Sequence, residues 1–242
     1  MADRPILETR DLVMRFGGVV AVDGANFALE QGELRCLIGP NGAGKSTFFK
    51  CVSGQLAPTA GRVMFDGKDI TGAEPHYVAR LGVGIKTQVP SVFDGLSIRE
   101  NIRLAARRGH GRAEATRLVG ELLDRIGLSD DAGRLVGHLA HGQRQWVELA
   151  LVLACEPRLV LLDEPTAGMT HEEVSRTADL IREISKSCSM IVVEHDMQFI
   201  RMIADKVTVF HQGKILVEDS MDRIMRDERV RDVYLGKQAS AA

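Results

Sequence analysis

The chain has 242 residues, of which 45% are hydrophobic and 26% charged, a composition typical of a globular protein with one large α/β domain or two small ones. The net charge of −2 and the lack of a long basic run disfavour nucleic acid as the main partner. The longest apolar runs, such as 149–155, are too short to span a bilayer, and the N-terminus lacks the pattern of a signal peptide. The four cysteines form no CxxC pair, which favours buried, reduced thiols over a metal site.

The first part of the chain is predicted to form β-strands. Residues 6–14 and 19–30 alternate loosely between apolar and polar positions, which indicates an antiparallel pair. Residues 34–38 form a short apolar run that is typical of a buried strand. Residues 62–65, ended by the turn 66–67, add another short strand.

A glycine-rich loop follows the strand 34–38 and has the spacing of a phosphate-binding loop. It comprises Gly39, Pro40, Asn41, Gly42, Ala43, Gly44, Lys45, Ser46 and Thr47. Glycines allow backbone N–H groups to converge on phosphate oxygens, the lysine reaches the β- and γ-phosphates, and the serine hydroxyl holds Mg²⁺. Residues 45–52 are predicted to form a helix whose N-terminus faces the phosphates. A chance glycine-rich turn is the weaker alternative, because the flanking strand and helix are the context that the motif requires.

The middle of the chain is predicted to be helical. Residues 97–107 form one helix, because a serine and a glutamate open them with the spacing of a capping box. Residues 113–126 and a helix that starts near Gly142 each carry apolar side chains on one face, which indicates core helices. Together these helices are predicted to form an insert at about 89–157.

Strand and helix patterns alternate again after the insert. Apolar runs at 159–162 and 190–193 predict two buried strands, and a second capping box near residue 170 opens the helix between them. Strands at 206–210 and 214–217 and two short helices end the chain. Such alternation predicts an α/β fold with a mainly parallel sheet that is covered on both faces, preceded by an N-terminal antiparallel group.

Two strand ends carry candidate catalytic side chains. Asp163 follows the strand 159–162, so its carboxylate is expected beside the phosphate loop, where it would hold Mg²⁺. Glu164 projects differently and is a candidate for positioning or deprotonating the attacking water. His195 follows the strand 190–193 and is a candidate hydrogen-bond donor to the γ-phosphate. The alternatives are a solvated turn after 159–162 and a purely structural histidine, and the nearby phosphate loop favours the functional interpretation of both strand ends.

These motifs resemble those of the ATP-binding-cassette (ABC) ATPases, and the resemblance covers essentially the whole chain. Loop 39–47 resembles the Walker A loop, residues 159–163 resemble Walker B with Glu164 as the catalytic glutamate, and His195 matches the switch histidine. Gln88 matches the Q-loop glutamine, which in the family contacts Mg²⁺ and the attacking water and touches the membrane subunits.

Two further features match the family less closely. Phe16 fits the aromatic residue that stacks on adenine, a contact that needs only a π-face. Residues 139–143 occupy the position of the signature segment, which in the family binds the γ-phosphate of ATP held by the opposite cassette. The resemblance assigns this role to Ala140, His141, Gly142 and Gln143.

The sequence departs from the family pattern in two places. The usual signature is Leu-Ser-Gly-Gly-Gln, so Ala140 lacks the serine hydroxyl and His141 replaces a glycine. Losing one hydroxyl hydrogen bond to a charged oxygen costs about 1.5–3 kcal/mol where nothing replaces it. The usual D-loop aspartate is also absent from residues 166–170, which affects the expected communication between two nucleotide sites.

The resemblance implies a single ABC nucleotide-binding domain, 1–242, that binds ATP and Mg²⁺ and powers a bacterial importer from the cytoplasmic face of the inner membrane. Its expected partners are a second cassette, in a homodimer or heterodimer, transmembrane permease subunits and, indirectly, a periplasmic substrate-binding protein. Residues 138–146 and 206–213 are more similar to the urea and short-chain amide branch. Residues 167–170, 193–197 and 233–236 are more similar to the branched-chain amino acid branch. The first pair of segments leads us to expect urea or a short-chain amide as the substrate before a branched-chain amino acid.

Two other classes of function are weighed against this one. Soluble ABC ATPases that act on ribosomes or DNA usually carry two cassettes or a long coiled-coil insert, for which this chain has no room. A GTPase requires an Asn-Lys-x-Asp motif, which is absent from the sequence, and the signature region and His195 also argue against a P-loop kinase.

Overall fold

The structure is a computed structural model that describes residues 4–87 and 91–235. Gln88 therefore lies outside the described residues. The strands are β1 (Leu7–Phe16), β2 (Val19–Leu29), β3 (Leu34–Ile38), β4 (Ala60–Phe65), β5 (Lys68–Asp69), β6 (Val83–Lys86), β7 (Leu159–Asp163), β8 (Ser189–Val193), β9 (Lys206–His211) and β10 (Lys214–Asp219). They form two sheets, one of four strands in the order β2-β1-β4-β5 and one of six in the order β10-β9-β3-β8-β7-β6.

The first sheet is antiparallel and the second is mainly parallel, as the sequence predicts. Within the larger sheet only β10 runs antiparallel to its neighbour β9. Its central strands β3, β7 and β8 are buried along their whole length, which explains why their sequences are mostly apolar. The carboxyl ends of these three adjacent parallel strands meet along one edge of the sheet, where ligands bind in open α/β folds.

Nine α-helices, besides a 3₁₀-helix at Val136–His138, complete the part of the chain that the structure describes. They are α1 (Lys45–Val52), α2 (Pro75–Arg80), α3 (Ile98–Ala106), α4 (Arg112–Arg125), α5 (His141–Leu153), α6 (His171–Ser185), α7 (Met197–Ile203), α8 (Met221–Ile224) and α9 (Glu228–Leu235). Both predicted capping boxes are present, on Ser97 at the start of α3 and on Thr170 at the start of α6. Helices α3, α4 and α5 lie between β6 and β7 in the chain.

The larger sheet separates two hydrophobic clusters, because successive side chains of a strand point to opposite faces. On β3, Cys36 and Ile38 pack with the cluster that contains α3 to α7. Leu37, which lies between them, packs with the cluster that contains α1 and the antiparallel sheet. Strand β7 alternates in the same way. The sheet is therefore covered on both faces. The loops that follow its strands are held in defined positions at its carboxyl edge.

Helix α2 and strand β6 have no counterpart among the predicted elements. Helix α2 buries Val78 but carries no apolar stripe that would indicate a helix. Strand β6 contains Gly84 and Lys86, both unusual in a buried strand. A Cβ atom on Gly84 would lie 2.5 Å from Val152 of α5, so glycine is required here because the helix approaches the strand closely.

The described residues contain no helix that is both long and apolar enough to cross a membrane. All four cysteines are free, and Cys36, Cys51 and Cys188 are buried as predicted. Cys155 is exposed, contrary to the expectation. It follows α5 at the point where the helix ends, so the apolar run that suggested burial leaves the core there.

Candidate active site

The loop between β3 and α1 takes a conformation that only glycine allows at two positions. Gly39 and Gly44 have φ angles of +145° and +105°. A Cβ atom on Gly39 would lie 2.2 Å from the carbonyl oxygen of Phe210, and one on Gly44 would lie 2.4 Å from that of Ala21. Both glycines are therefore required by the close approach of neighbouring backbone as well as by their dihedral angles.

The N-terminus of α1 is open to an anion. Its N-cap residue is Gly44, no side chain caps the helix, and its first turn contains no acidic residue. Backbone N–H groups and the helix dipole at such an end favour a phosphate. Ser46, in the first turn, is exposed, so its hydroxyl is accessible to a ligand at this end.

The ammonium group of Lys45 lies over the loop. Its Nζ donates hydrogen bonds to the carbonyl oxygens of Gly39, at 2.6 Å, and Pro40, at 3.1 Å. Burial lowers the pKa of Lys45, and the charges of Glu164 and Asp163 oppose that shift. The lysine and the two carboxylates therefore share one electrostatic environment, although they come from separate motifs.

Asp163 ends β7 and is buried, with 8% of its surface exposed. Its Oδ1 atom has no hydrogen-bond partner among the described residues. Burial, followed by the charge of the adjacent Glu164, raises the pKa of Asp163. An orphaned carboxylate oxygen in a buried site fits a divalent cation, which would satisfy that oxygen and favour the ionised form.

Glu164 has a φ angle of +48°, a strained conformation for a residue with a side chain. Its backbone N–H donates to the carbonyl oxygen of Val193 at 2.9 Å, which fixes it to the end of β8. Its side chain is one-third exposed, and Oε1 lies 3.4 Å from Nδ1 of His195. The structure therefore brings together the two strand-end residues that the sequence singles out.

His195 projects from the end of β8, and two-thirds of its side chain is exposed. Its Nδ1 lies between two carboxylates, 3.4 Å from Glu164 and 3.7 Å from Glu194. Its backbone N–H donates to Oε2 of Glu194 at 3.0 Å. An exposed imidazole whose backbone is fixed suits a group that reaches a bound ligand better than a buried structural histidine.

The signature segment 140–143 forms the N-terminus of α5. The N–H of Ala140 donates to Oε1 of Gln143 at 3.3 Å, Ala140 itself has no side chain that could cap the helix, and the backbone N–H of Gly142 donates a hydrogen bond to the carboxylate of Glu173. Nε2 of His141 lies 2.9 Å from the carbonyl oxygen of Ala167. Among the described residues, this segment is not joined to loop 39–47 by a hydrogen bond or an ion pair.

Phe16 ends β1, where it pairs with Val19 across the hairpin. Its side chain is half exposed, so the ring is accessible for stacking. The same hairpin leads through β2 to Ala21, which contacts Gly44 of the phosphate loop.

Comparison with known proteins decides the family. Residues 22–167, more than half of the chain, match the family model described as ABC transporter. The chain belongs to the ABC transporter family. The resemblance deduced from the motifs is thereby confirmed.

Individual relatives agree over nearly the whole length of the cassette. It is 34% identical to the high-affinity branched-chain amino acid transport ATP-binding protein BraF of Pseudomonas aeruginosa, covering 97% of this chain and 99% of that protein. It is 35% identical to the ribose import ATP-binding protein RbsA 1 of Rubrobacter xylanophilus, covering 94% of this chain and 46% of that protein. The crystal structure of MJ1267, an ATP-binding cassette of an ABC transporter, in its ADP conformation superposes with a TM-score of 0.86 at 27% identity, covering 96% and 99% of the two chains.

The cassette is therefore an ATP-binding and ATP-hydrolysing transporter subunit with a P-loop α/β fold. Membership of the ABC transporter family excludes the alternative functions of a P-loop kinase and a GTPase. The soluble ABC ATPase acting on ribosomes or DNA is also excluded, since the relatives are transport subunits over the full length of the chain.

The sequence motifs do not identify two buried polar contacts of the cassette. Glu194 is 1% exposed and accepts hydrogen bonds from Thr166 and His195. Lys86 of β6 and Glu148 of α5 form a buried ion pair with Nζ 3.5 Å from Oε2. Burial lowers the pKa of Lys86 and raises that of Glu148, while each opposes the other's shift. The only sequence signal is a charged residue inside an apolar element, and its partner lies far away in the chain.

Proposed function

We propose that the cassette hydrolyses ATP at the edge where β3, β7 and β8 end, and thereby powers a bacterial importer. The observation that carries the proposal is the convergence of three motifs at that edge. Loop 39–47, the pair Asp163 and Glu164, and His195 all follow adjacent parallel strands. Membership of the ABC transporter family indicates the ATPase activity, and this geometry supports the roles proposed below for the individual residues.

The nucleotide is proposed to bind along loop 39–47. The open N-terminus of α1 and the loop N–H groups would hold the phosphates. Lys45, which already lies over the loop, would turn its ammonium group to the β- and γ-phosphates. The exposed ring of Phe16 would stack on adenine.

Mg²⁺ is proposed to be held by Ser46, Asp163 and Gln88. The exposed hydroxyl of Ser46 and the unpartnered Oδ1 of Asp163 fit this ion, while Gln88 lies outside the described residues. When bound, Mg²⁺ would neutralise charge on the β- and γ-phosphates. Asp163 would then act as an ionised ligand of Mg²⁺ and would not accept a proton.

Glu164 and His195 are proposed to act on the reacting groups. The carboxylate of Glu164 would orient the attacking water and accept its proton. His195, with two carboxylates beside Nδ1, would donate a hydrogen bond to the γ-phosphate as charge develops there. Gln88 is proposed to help position the water.

A second cassette is proposed to complete each site. The N-terminal amides of α5, in residues 140–143, would receive the γ-phosphate of ATP held by the opposite chain. Ala140 offers no hydroxyl, and the His141 imidazole contacts its own chain at Ala167. Backbone N–H groups and the side chain of Gln143 would therefore make this contact.

A groove of about 940 Å³ is proposed to dock a cytoplasmic segment of a permease subunit. It is lined by parts of α2, β6, α3 and the end of α5. Phe93 and Leu104 line it with 60% and 50% of their surfaces exposed, a pattern typical of an interaction site. Its lining includes Ile85 and Ser91, which flank the Gln88 segment, so this segment would connect the permease to the ATP site. Such docking would place the cassette at the cytoplasmic face of the inner membrane.

The docking proposal is tested by variants that charge the groove. Phe93→Arg and Leu104→Glu should abolish co-purification with membranes while the isolated cassette still hydrolyses ATP. Met225→Arg, on a residue that is 41% exposed and is not among the groove's lining residues, is the matched control. Normal membrane recovery of both groove variants would contradict the proposal.

The transported substrate is proposed to be a branched-chain amino acid, with urea or a short-chain amide as the second candidate. Identity to BraF over 97% of the chain supports the first and reverses the order expected from the sequence, while residues 138–146 and 206–213 support the second. The substrate itself would be delivered by a periplasmic binding protein. Uptake of labelled leucine, urea, acetamide and ribose in a deletion strain separates the candidates, and a defect confined to urea or acetamide would reverse the order.

The ATPase assignment is tested by Lys45→Ala in the purified cassette. We expect hydrolysis to be nearly abolished and nucleotide binding to be weakened, because a charge-assisted contact of about 1.5–3 kcal/mol is lost. Lys68→Ala, on an exposed lysine of β5, is the control and should behave as wild type. Near-normal turnover by Lys45→Ala would contradict the site.

A further inference from the structure

Glu194 is a buried carboxylate at the centre of the strand edge that carries the reactive groups. It follows β8 directly, and only 1% of its surface is exposed. A buried carboxylate is costly unless hydrogen bonds satisfy it. Neither of its oxygens is among the buried polar atoms of the described residues that lack a partner, so each oxygen accepts at least one hydrogen bond.

Three hydrogen bonds satisfy the carboxylate, and their donors lie in two different loops. Oε1 accepts from the hydroxyl of Thr166 at 2.6 Å and from the Thr166 N–H at 3.2 Å. Oε2 accepts from the backbone N–H of His195 at 3.0 Å. The two oxygens of one side chain therefore join the turn after β7 to the turn after β8.

The turn after β7 contains Glu164 in its strained left-handed conformation. Such a conformation persists only where surrounding contacts determine it. On its N-terminal side it is held by the hydrogen bond from its own N–H to Val193. On its C-terminal side the turn is held through Thr166, which Glu194 anchors at both the hydroxyl and the N–H.

We propose that Glu194 is a positioning residue for ATP hydrolysis. It holds Glu164 and His195 at their mutual distance of 3.4 Å without itself touching the nucleotide. The inference rests on the roles proposed above for these two residues and adds the group that fixes their relative position.

The position requires a carboxylate rather than a group of similar shape. All three contacts come from donors, so the side chain must accept at both ends. A glutamine offers one acceptor oxygen and one NH₂ group. Whichever way its amide turns, a donor would face a donor at Thr166 or at His195, and one of the two turns would be released.

The decisive variant is therefore Glu194→Gln. We expect kcat to fall about 10- to 100-fold, the loss typical of small misplacements of catalytic groups, with KM for ATP unchanged within about threefold. Glu172→Gln, on an exposed glutamate of α6, should match wild type. Thr166→Val removes only the hydroxyl contact and should give a smaller fall in kcat, which keeps the test available if Glu194→Gln folds poorly.

A double-mutant cycle separates positioning from general loss of structure. If Glu194 acts through His195, the combined loss in Glu194→Gln with His195→Ala is smaller than the product of the two single losses. Losses that multiply, or a wild-type kcat in both Glu194→Gln and Thr166→Val, would overturn the inference. An inert wild-type cassette would instead contradict the proposed function itself.

Discussion

Nδ1 of His195 lies 3.4 Å from Oε1 of Glu164, across the boundary between two adjacent parallel strands. Because β7 and β8 are buried along their length, this distance is set by the sheet and not by the exposed side chains alone. In the proposed mechanism, Glu164 would act on the attacking water and His195 would act on the γ-phosphate.

His195→Ala should lower kcat for ATP hydrolysis by about 10²–10³, the usual cost of removing one hydrogen-bond donor to developing charge. ATP affinity should stay within a few-fold, because the proposed contact with the γ-phosphate would form during reaction and not in the resting complex. Steady-state kinetics and a nucleotide-binding titration measure both quantities. His76→Ala, on an exposed histidine of α2, is the control. Loss of ATP binding or of folding would favour a structural histidine.

Lys86→Met should lower the free energy of unfolding by about 3–5 kcal/mol, because Glu148 would be left as an uncompensated buried charge. Replacing both residues by methionine should recover most of that loss, since the desolvation penalty disappears with both charges. Urea unfolding of the single and double variants measures the coupling. Arg117→Ala, which breaks an exposed pair on α4, should change stability little. A double variant less stable than Lys86→Met would contradict the argument.

The nucleotide-binding half of the site is predictable from the sequence, because phosphate binding requires particular residues at short, fixed spacings along the chain. Strand 34–38 and helix 45–52 agree with β3 and α1 residue for residue, since the phosphate loop demands a strand before it and a helix after it. The helix starts at Ser97 and Thr170 are equally predictable, because a capping box depends on residues three apart.

The remaining features depend on contacts between distant segments. Strand β6 contains a glycine because α5 packs against it, and a lysine because α5 supplies Glu148. The role of Glu194 requires knowing that Thr166 lies beside it, which follows from the pairing of β7 with β8. The imidazole of His141 turns to Ala167 of its own chain, a direction that the signature pattern does not contain. No periodicity carries such information, because each case is decided by tertiary packing.

Thr170→Ala should destabilise the cassette by about 0.5–2 kcal/mol at pH 7, because α6 loses its N-cap hydroxyl. Hydrogen bonds from Thr170, first from its backbone N–H, hold the pKa of Glu173 below its usual value of 4.5. A carboxylate with a lowered pKa in the folded state stabilises it above the unfolded pKa, and that contribution is lost as pH falls through the folded pKa. Urea unfolding of Glu173→Gln should therefore differ from wild type at pH 7 and converge with it below pH 4.5.

The matched control for this pH dependence is Glu172→Gln, which removes a charge from the same helical turn without touching the capping box. It reports the contribution of the helix dipole alone. Equal effects of the two glutamine variants at every pH would show that the capping box adds nothing.

Glu164→Gln should nearly stop hydrolysis while leaving nucleotide binding intact. Glutamine keeps the shape of the side chain but removes its charge and basicity, and losing a general base typically costs about 10²–10⁴ in rate. Loop 39–47 and Asp163 are untouched, so the phosphates and Mg²⁺ keep their proposed contacts. Fast hydrolysis by this variant would show that Glu164 is not the base.

The same variant tests the proposed pairing of cassettes. ATP bound on loop 39–47 of one chain would also contact residues 140–143 of the other, so uncleaved ATP should hold the closed dimer by mass action. Light scattering of Glu164→Gln with and without ATP, alone and mixed with a sister cassette where one exists, measures the dimeric fraction. Adding Lys45→Ala to the same chain should abolish the ATP-dependent increase, because it weakens the phosphate contact on which the bridge depends. A dimeric fraction that ATP never raises would mean that the signature with Ala140 and His141 does not bind in trans without the permease, and the energy of closure would then have to come from the membrane subunits.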